Sequence, residues 1–242
     1  MKLLVNSIFH SIDGEVNGFR GAGEFSTFIR LQGCNLDCTY CDTQYARPLL
    51  SDTAKEMSIN EIIDQVSMPK MTITGGEPLL QPGCLKLIER LLALGYPVSV
   101  ETNGSISPWG CVGEFEKLRY IVDCKLPSSG IELTTQQRID TCSVWCSSDV
   151  IKFVVCGAID YRECKAVLHG LLDSVPENSI FVLPKFAISP GFLPGSATEL
   201  GNFAGKLVDW IIEDIKTFPK LGLMQFSLQI HKFIWPGVTC ER

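Results

Sequence analysis

Residues 71–104 read MTITGGEPLLQPGCLKLIERLLALGYPVSVETNG. The opening Met71–Thr74 is short and β-branched, which predicts a strand. Leu85, Ile88, Leu91 and Leu92 then recur three or four apart, so Cys84–Leu94 predicts a helix that Gly95 stops. Val98–Glu101 predicts the next strand. A strand, a helix and a strand in so few residues form a βα unit joining parallel neighbours. Working outward, the alternation continues. Strands are expected at Phe25–Leu31, Tyr120–Asp123, Val150–Cys156, Ile180–Leu183 and Leu223–Leu228. Helices are expected at Ser58–Val66, Gln136–Trp145, Tyr161–Leu172 and Thr198–Lys216. Ser58 with Glu61 makes a capping-box pattern. Six or seven units predict an α/β fold with a mainly parallel sheet: a modified, partial (β/α) barrel, with a doubly wound open sheet as the competitor. In either, functional side chains gather where the strands end. Ser189–Gly195 reads as a loop. No repeat or linker breaks the chain, so residues 1–242 are expected to form a single domain.

Bulk composition narrows the class. The 242 residues are 45% apolar and 20% charged, with a formal net charge of -6. That balance offers no broad basic surface to a nucleic acid. No apolar run approaches the roughly 18 residues needed to span a bilayer. Residues 1–15 lack the longer apolar stretch and small-residue cleavage site of a secretory signal. A cytoplasmic location, with no membrane partner, is therefore expected. The cysteines number 11. Without a signal, reduced thiols or a metal site are the expectation, not a disulfide framework. Cys84, Cys111, Cys124, Cys142, Cys146, Cys156, Cys164 and Cys240 are scattered, as buried apolar thiols are.

The other three are not scattered. Gly33-Cys34-Asn35-Leu36-Asp37-Cys38-Thr39-Tyr40-Cys41-Asp42-Thr43 places them as C-x3-C-x2-C. Thiolates this close wrap one metal centre. An iron–sulfur cluster takes Cys ligands and, with three, keeps one iron open for a chelating molecule. A structural zinc would want a fourth ligand, and none lies nearby. The zinc reading and unconnected core thiols stand as alternatives. Downstream, Thr74-Gly75-Gly76-Glu77-Pro78 lies between a strand and a helix. Its glycines allow close backbone approach, and Pro78 suits a helix start.

These two motifs together resemble the radical S-adenosylmethionine (SAM) superfamily. The surrounding sequence resembles one family within it. Ser11–Glu15, Phe28–Leu36, Cys41–Thr43, Glu101–Gly104, Asp123–Ser129 and Gln229–Lys232 occur in the order found in the 7-carboxy-7-deazaguanine synthase family. The resemblance runs from about Asn6 to Lys232. It implies a [4Fe-4S] cluster on Cys34, Cys38 and Cys41, with SAM and Mg2+ as further cofactors. It implies conversion of 6-carboxy-5,6,7,8-tetrahydropterin to 7-carboxy-7-deazaguanine and ammonia. A 5′-deoxyadenosyl radical would take a hydrogen, the ring would contract, and SAM would be regenerated.

The same resemblance assigns residues. Tyr40, Cys41, Asp42, Gly76, Asp123, Cys124 and Lys125 meet SAM. Thr43 holds Mg2+, which keeps its waters and needs few protein ligands. Ile12, Asp13, Gly14, Glu15, Arg30 and Thr74 meet the pterin. Arg30 offers a planar fork for its carboxylate, and Glu15 accepts from its N–H groups. A homodimer and an external electron donor of flavodoxin or ferredoxin type are implied as partners. His10, His169 and His231 receive no chemistry.

The match has departures. Many members read Gln-Gly-Glu-Gly where this chain has Asp13-Gly14-Glu15-Val16. The chain also continues past Lys232, through Phe233–Arg242. Two rival readings belong to other classes. One is an activating enzyme that makes a glycyl radical on a partner protein. The other is a non-enzymatic iron–sulfur or zinc module.

Overall fold

The computed structural model of the chain describes residues 1–14, 16, 22–107, 116–173, 183–191 and 197–235. Its strands in chain order are β1 (Lys2–Asp13), β2 (Glu24–Leu31), β3 (Lys55–Ser58), β4 (Met71–Gly75) and β5 (Val98–Thr102). They continue as β6 (Leu118–Cys124), β7 (Val150–Val155), β8 (Lys185–Pro190) and β9 (Met224–Phe226). The helices are α1 (Ile59–Ile63), α2 (Gly83–Ala93), α3 (Thr135–Ser143), α4 (Ala158–Asp173), α5 (Ala197–Ile215) and α6 (Ile230–Ile234).

All nine strands join one sheet, in the order β3-β1-β2-β4-β5-β6-β7-β8-β9. Every pairing from β2 to β9 is parallel, and β1 runs antiparallel to both β2 and β3. The sheet is open, with β3 and β9 at its edges, as a partial barrel requires.

Alternation along the parallel strands sorts the residues onto two faces. Met71, Ile73, Val98, Val100, Tyr120, Val122, Ile151, Phe153 and Val155 belong to the main core. There they meet Leu87 and Leu91 of α2 and Val167, Leu168 and Leu171 of α4. The intervening positions carry Ser26, Arg30, Thr72, Thr74, Ser99, Glu101, Asp123, Lys152 and Ser189. So many polar side chains on one sheet face would be costly without partners or a ligand to meet them. A small apolar cluster of Val16, Ile121, Val150 and Ala187 sits among them.

The expected helices all form, and Ser58 and Glu61 close the capping box reciprocally at 3.3 and 2.7 Å. Three strands differ from expectation. β1 is a twelve-residue strand that the sequence reading missed. Its Asn, Ser and His residues blur the period-two pattern, although Leu3, Val5, Ser11 and Asp13 are buried. The short β3, Lys-Glu-Met-Ser with no buried residue, offers no alternation to read. The strand expected at 180–183 falls mostly outside the described residues, with Leu183 in a bend. The strand that forms lies beyond Pro184 and includes Ser189 and Pro190, which had read as loop. Pro190 ends this strand, where a missing N–H costs little.

Candidate functional site

The cysteine loop leaves the end of β2 through Gly33, whose φ is +99°. Gly33 N and Cys34 N donate to Ala46 O and Arg47 O at 2.8 and 2.9 Å, which closes the loop on the turn Gln44–Ala46. On its other side, Thr39 N and Oγ1 donate to Ser129 O and Ser128 O at 2.9 and 2.6 Å. Cys34, Cys38 and Cys41 are free thiols held between these anchors. Burial pushes the Cys38 thiol up, and Lys125 pulls against it. Among the described residues no three His, Cys, Asp or Glu side chains converge on a position for a single ion. A cubane takes one thiolate per iron and does not require such convergence.

The Gly75-Gly76 pair serves the protein's own backbone. Gly75 has φ +138°, and a Cβ there would overlap Leu31. A Cβ on Gly76 would overlap the Gly33 and Ala46 carbonyls. Gly76 N and Glu77 N donate to Leu31 O and Gly33 O at 3.1 and 2.8 Å, so the turn is strapped to the base of the cysteine loop. Glu77 is fully buried and accepts from Leu79 N, Thr102 Oγ1 and Asn103 N at 2.9, 2.9 and 2.7 Å. Burial raises its carboxyl, against the pull of these donors.

Arg30 lies three residues before Gly33, beside Thr74 in the parallel register. Its guanidinium stacks over Phe9 at 4.7 Å and donates to Tyr45 Oη at 2.6 Å. Its Nε is buried without a hydrogen-bond partner, and no ion pair engages it among the described residues. Thr74 Oγ1 donates to Glu101 Oε2 at 2.6 Å. Thr43 precedes the Gln44–Ala46 turn, yet its hydroxyl makes no cap bond; its described neighbour is Cys41 Sγ at 3.8 Å.

At the C-terminal ends of β6 and β7, Asp123 bridges Lys125 and Lys152, each at 3.0 Å. Burial pushes the Asp123 carboxyl up, but the two lysines outweigh it and hold it at about 2. Lys125 Nζ sits 5.8 Å from the Tyr40 ring, whose buried hydroxyl has no hydrogen-bond partner. An orphaned donor beside a charged pair is what a bound polar molecule would satisfy. The cation holding Asp123 from the neighbouring strand, Lys152, was not anticipated.

The Ser11–Glu15 stretch behaves differently. Ile12 pairs with Phe25 in the β1–β2 hairpin. The Asp13 carboxylate is ion-paired to the fully buried Lys70 and takes a bond from Thr72 Oγ1 at 3.3 Å. Its carbonyl accepts from Gly23 N at 2.7 Å. The acid that departs from the family pattern thus anchors the hairpin. Gly14 O accepts from Ile230 N at 3.1 Å, and Val16 N donates to Ser227 Oγ at 3.0 Å. Lys232 Nζ reaches Asp42 Oδ2 at 3.4 Å. The closing Gln-Ile-His-Lys segment therefore joins this loop to the cysteine loop. Glu15 and residues 236–242 of the tail lie outside the described residues.

The pattern of the radical SAM superfamily matches residues 28–138. A 7-carboxy-7-deazaguanine synthase from Clostridium acetobutylicum is 33% identical over 94% of this chain and 93% of its own. The chain belongs to the 7-carboxy-7-deazaguanine synthase family. A second member, from Koribacter versatilis, is 33% identical over 97% of this chain and 98% of its own. The solved structure of QueE from Escherichia coli shares the fold, with a TM-score of 0.63, 22% identity and 94% of each chain covered.

Family membership makes the chain a radical SAM enzyme that uses a [4Fe-4S] cluster and SAM. Such similarity along the whole chain favours a small-molecule substrate over a partner protein. Among the described residues no helix is long and apolar enough to cross a membrane. Tyr45, Glu77, Asn103 and Lys152 contact Arg30, Gly33, Cys34 and Asp123 respectively, although sequence reading gave them no individual role. Lys152 was signalled by its parity, a cation on the polar face of an otherwise apolar strand. Tyr45 carried no such signal.

Proposed function

We propose that the chain converts 6-carboxy-5,6,7,8-tetrahydropterin to 7-carboxy-7-deazaguanine and ammonia, as one domain over residues 1–242. When bound, the cluster and SAM supply the radical chemistry; the chain's own residues position and enclose it. Cys34, Cys38 and Cys41 ligate three irons. Tyr40, Asp42, Gly76, Asp123, Cys124 and Lys125 hold SAM, with the Tyr40 hydroxyl and Lys125 as its polar partners. Arg30 binds the substrate carboxylate through its fork, and the Thr74 hydroxyl lies beside it. Ile12, Gly14 and Glu15 line the pterin from the hairpin side, in a segment that Asp13 secures. Thr43 is the protein ligand for Mg2+; its hydroxyl makes no cap bond and faces Cys41 Sγ at 3.8 Å. A homodimer and a flavodoxin- or ferredoxin-type donor complete the reading.

One observation carries this assignment. Arg30 is clamped between two aromatic rings with no acidic partner among the described residues, one strand-end away from three free thiols. A fixed cation with an open edge there selects a small anionic substrate. The test is anaerobic reconstitution with iron, sulfide, SAM, Mg2+ and a reductant, followed by mass spectrometry for 7-carboxy-7-deazaguanine. Product that vanishes in Cys38→Ala and falls without Mg2+ supports the reading. Protein with a full cluster that cleaves SAM slowly but makes no product would sink the substrate assignment.

A further inference from the structure

The Asn103 side chain has no part in the chemistry assigned so far, yet its position is fully specified. Its Oδ1 accepts from Ser105 N and Ser105 Oγ at 2.9 and 2.6 Å. That fixes which end of the amide faces the cysteine loop. The two N–H bonds of Nδ2 are then directed at Cys34 Sγ, 3.7 Å away, and Asn35 Oδ1, 3.1 Å away. Asn35 Nδ2 returns to Ser105 Oγ at 2.9 Å and completes a ring of three side chains. The backbone of Asn103 is pinned from below by Glu77. Gly104, at φ +75°, turns the chain so that Ser105 can reach back to the amide. Leu36 N, at 3.5 Å, is a second donor to the same sulfur.

We propose that Asn103 is a positioning residue that stabilises the Cys34 thiolate through an N–H···S hydrogen bond and thereby raises the reduction potential of the cluster. The inference rests on the cluster reading above. One added electron increases the negative charge spread onto the cysteine sulfurs. A donor fixed against one of them favours the reduced state more than the oxidised one. Hydrogen bonds to sulfur and partners beyond the ligands themselves are known levers on such potentials. The effect matters here because the electron enters before SAM can be cleaved.

The test uses the full chain, reconstituted anaerobically, with iron and sulfide content and the electron paramagnetic resonance signal of the reduced cluster recorded first. A native chain that takes up no cluster would refute the cluster reading itself, before any potential is measured. A redox titration without SAM then compares variants. Asn103→Ala is expected to lower the ratio of reduced to oxidised cluster at a fixed potential by about three- to tenfold, or about 30 to 60 mV for one electron. Ser105→Ala removes one of the two donors that hold the amide, the hydroxyl at 2.6 Å, and should shift the potential in the same direction by less. Asn35→Ala breaks the ring but leaves both Ser105 donors on Asn103 Oδ1, and should shift the potential by clearly less than Asn103→Ala. A cluster-replete Asn103→Ala that is reduced as readily as the native chain overturns the proposal, as does an equal shift in Asn35→Ala. Should Asn103→Ala fail to hold a cluster, Ser105→Ala decides: an unchanged potential there overturns the proposal.

Discussion

Asp13 and Asp123 are both carboxylates set against lysines on the polar face of one parallel sheet, at its opposite ends. Asp13 meets Lys70 one residue before β4 begins, and both side chains are 1% exposed. Thr72 and Ser26 fill in around them, Ser26 Oγ lying 2.8 Å from Thr72 Oγ1. Asp123 lies where β6 ends, with Lys125, Lys152 and an unpartnered Tyr40 hydroxyl beside it, and is 26% exposed. The lower pair is sealed, while the upper group keeps open valence toward solvent. In barrels of parallel strands the lower end serves stability and the upper end serves chemistry. A buried ion pair alone therefore does not mark a site; its height along the strands and its unfilled donors do.

That contrast makes separable predictions. Lys70→Met strands the Asp13 carboxylate in the interior and should cost about 3 to 5 kcal/mol in denaturant unfolding. Adding Asp13→Leu should restore part of it, since a buried pair can be replaced by apolar groups of similar volume, while Glu24, 3.8 Å from Lys70 Nζ, loses that cation. Cluster content should not change in the double variant. A double variant that folds well but fails to bind SAM would erase the distinction between the two ends.

Lys125→Met acts at the other end. Lys152 still neutralises Asp123, so stability should fall less than in Lys70→Met. SAM affinity of the reconstituted enzyme should drop about 10- to 100-fold by calorimetry, or about 1.4 to 2.7 kcal/mol.

Acid gives the next effect. The Asp123 carboxyl is held at about 2, below its ordinary value of 3.8, because its lysines outweigh the cost of burial. A lowered folded-state value favours the folded chain above the ordinary value. That stabilisation, about 2 kcal/mol, is complete above roughly pH 4 and fades as pH falls toward 2. Asp123→Asn should remove this component from the acid-unfolding curve. An identical curve in the variant would show that Asp123 contributes no such linkage.

Tyr45→Phe is expected to have the smallest effect. It keeps the ring over Arg30 but deletes the 2.6 Å bond. The KM for the pterin should rise about fivefold, near 1 kcal/mol, with kcat within twofold. A change confined to kcat would place Tyr45 in the reaction itself.

Much of this was legible in the sequence, for identifiable reasons. β4, α2 and β5 were plain because strand and helix periods alternate cleanly between Met71 and Glu101. The Cys34–Cys41 spacing and Gly75-Gly76 stood out because each places several residues of one rare type together. β1 was hidden because its inward positions end in Ser11 and Asp13, polar residues that read as exposed until Lys70 and Thr72 are known to face them. Asn103 and Lys232 lie in stretches that carry the resemblance, but their partners Cys34 and Asp42 were illegible because they are far away in sequence, and Tyr45 carried no signal. The Asp13 carboxylate was a further gap, since nothing in the sequence paired it with Lys70.

Gly14 and Val16 bear on the order of assembly. Their bonds to Ile230 and Ser227, and the bond of Asp42 to Lys232, tie residues before and within the cysteine loop to a segment far along the chain. On a ribosome the thiolates of the cysteine loop emerge nearly two hundred residues before this closing segment. The nascent chain therefore passes through a stage in which the parallel strands can pair while one side of the cysteine loop stands uncovered. The contacts of this segment with the cysteine loop and with Gly14 and Val16 can therefore form only after Ser227–Lys232 has been made.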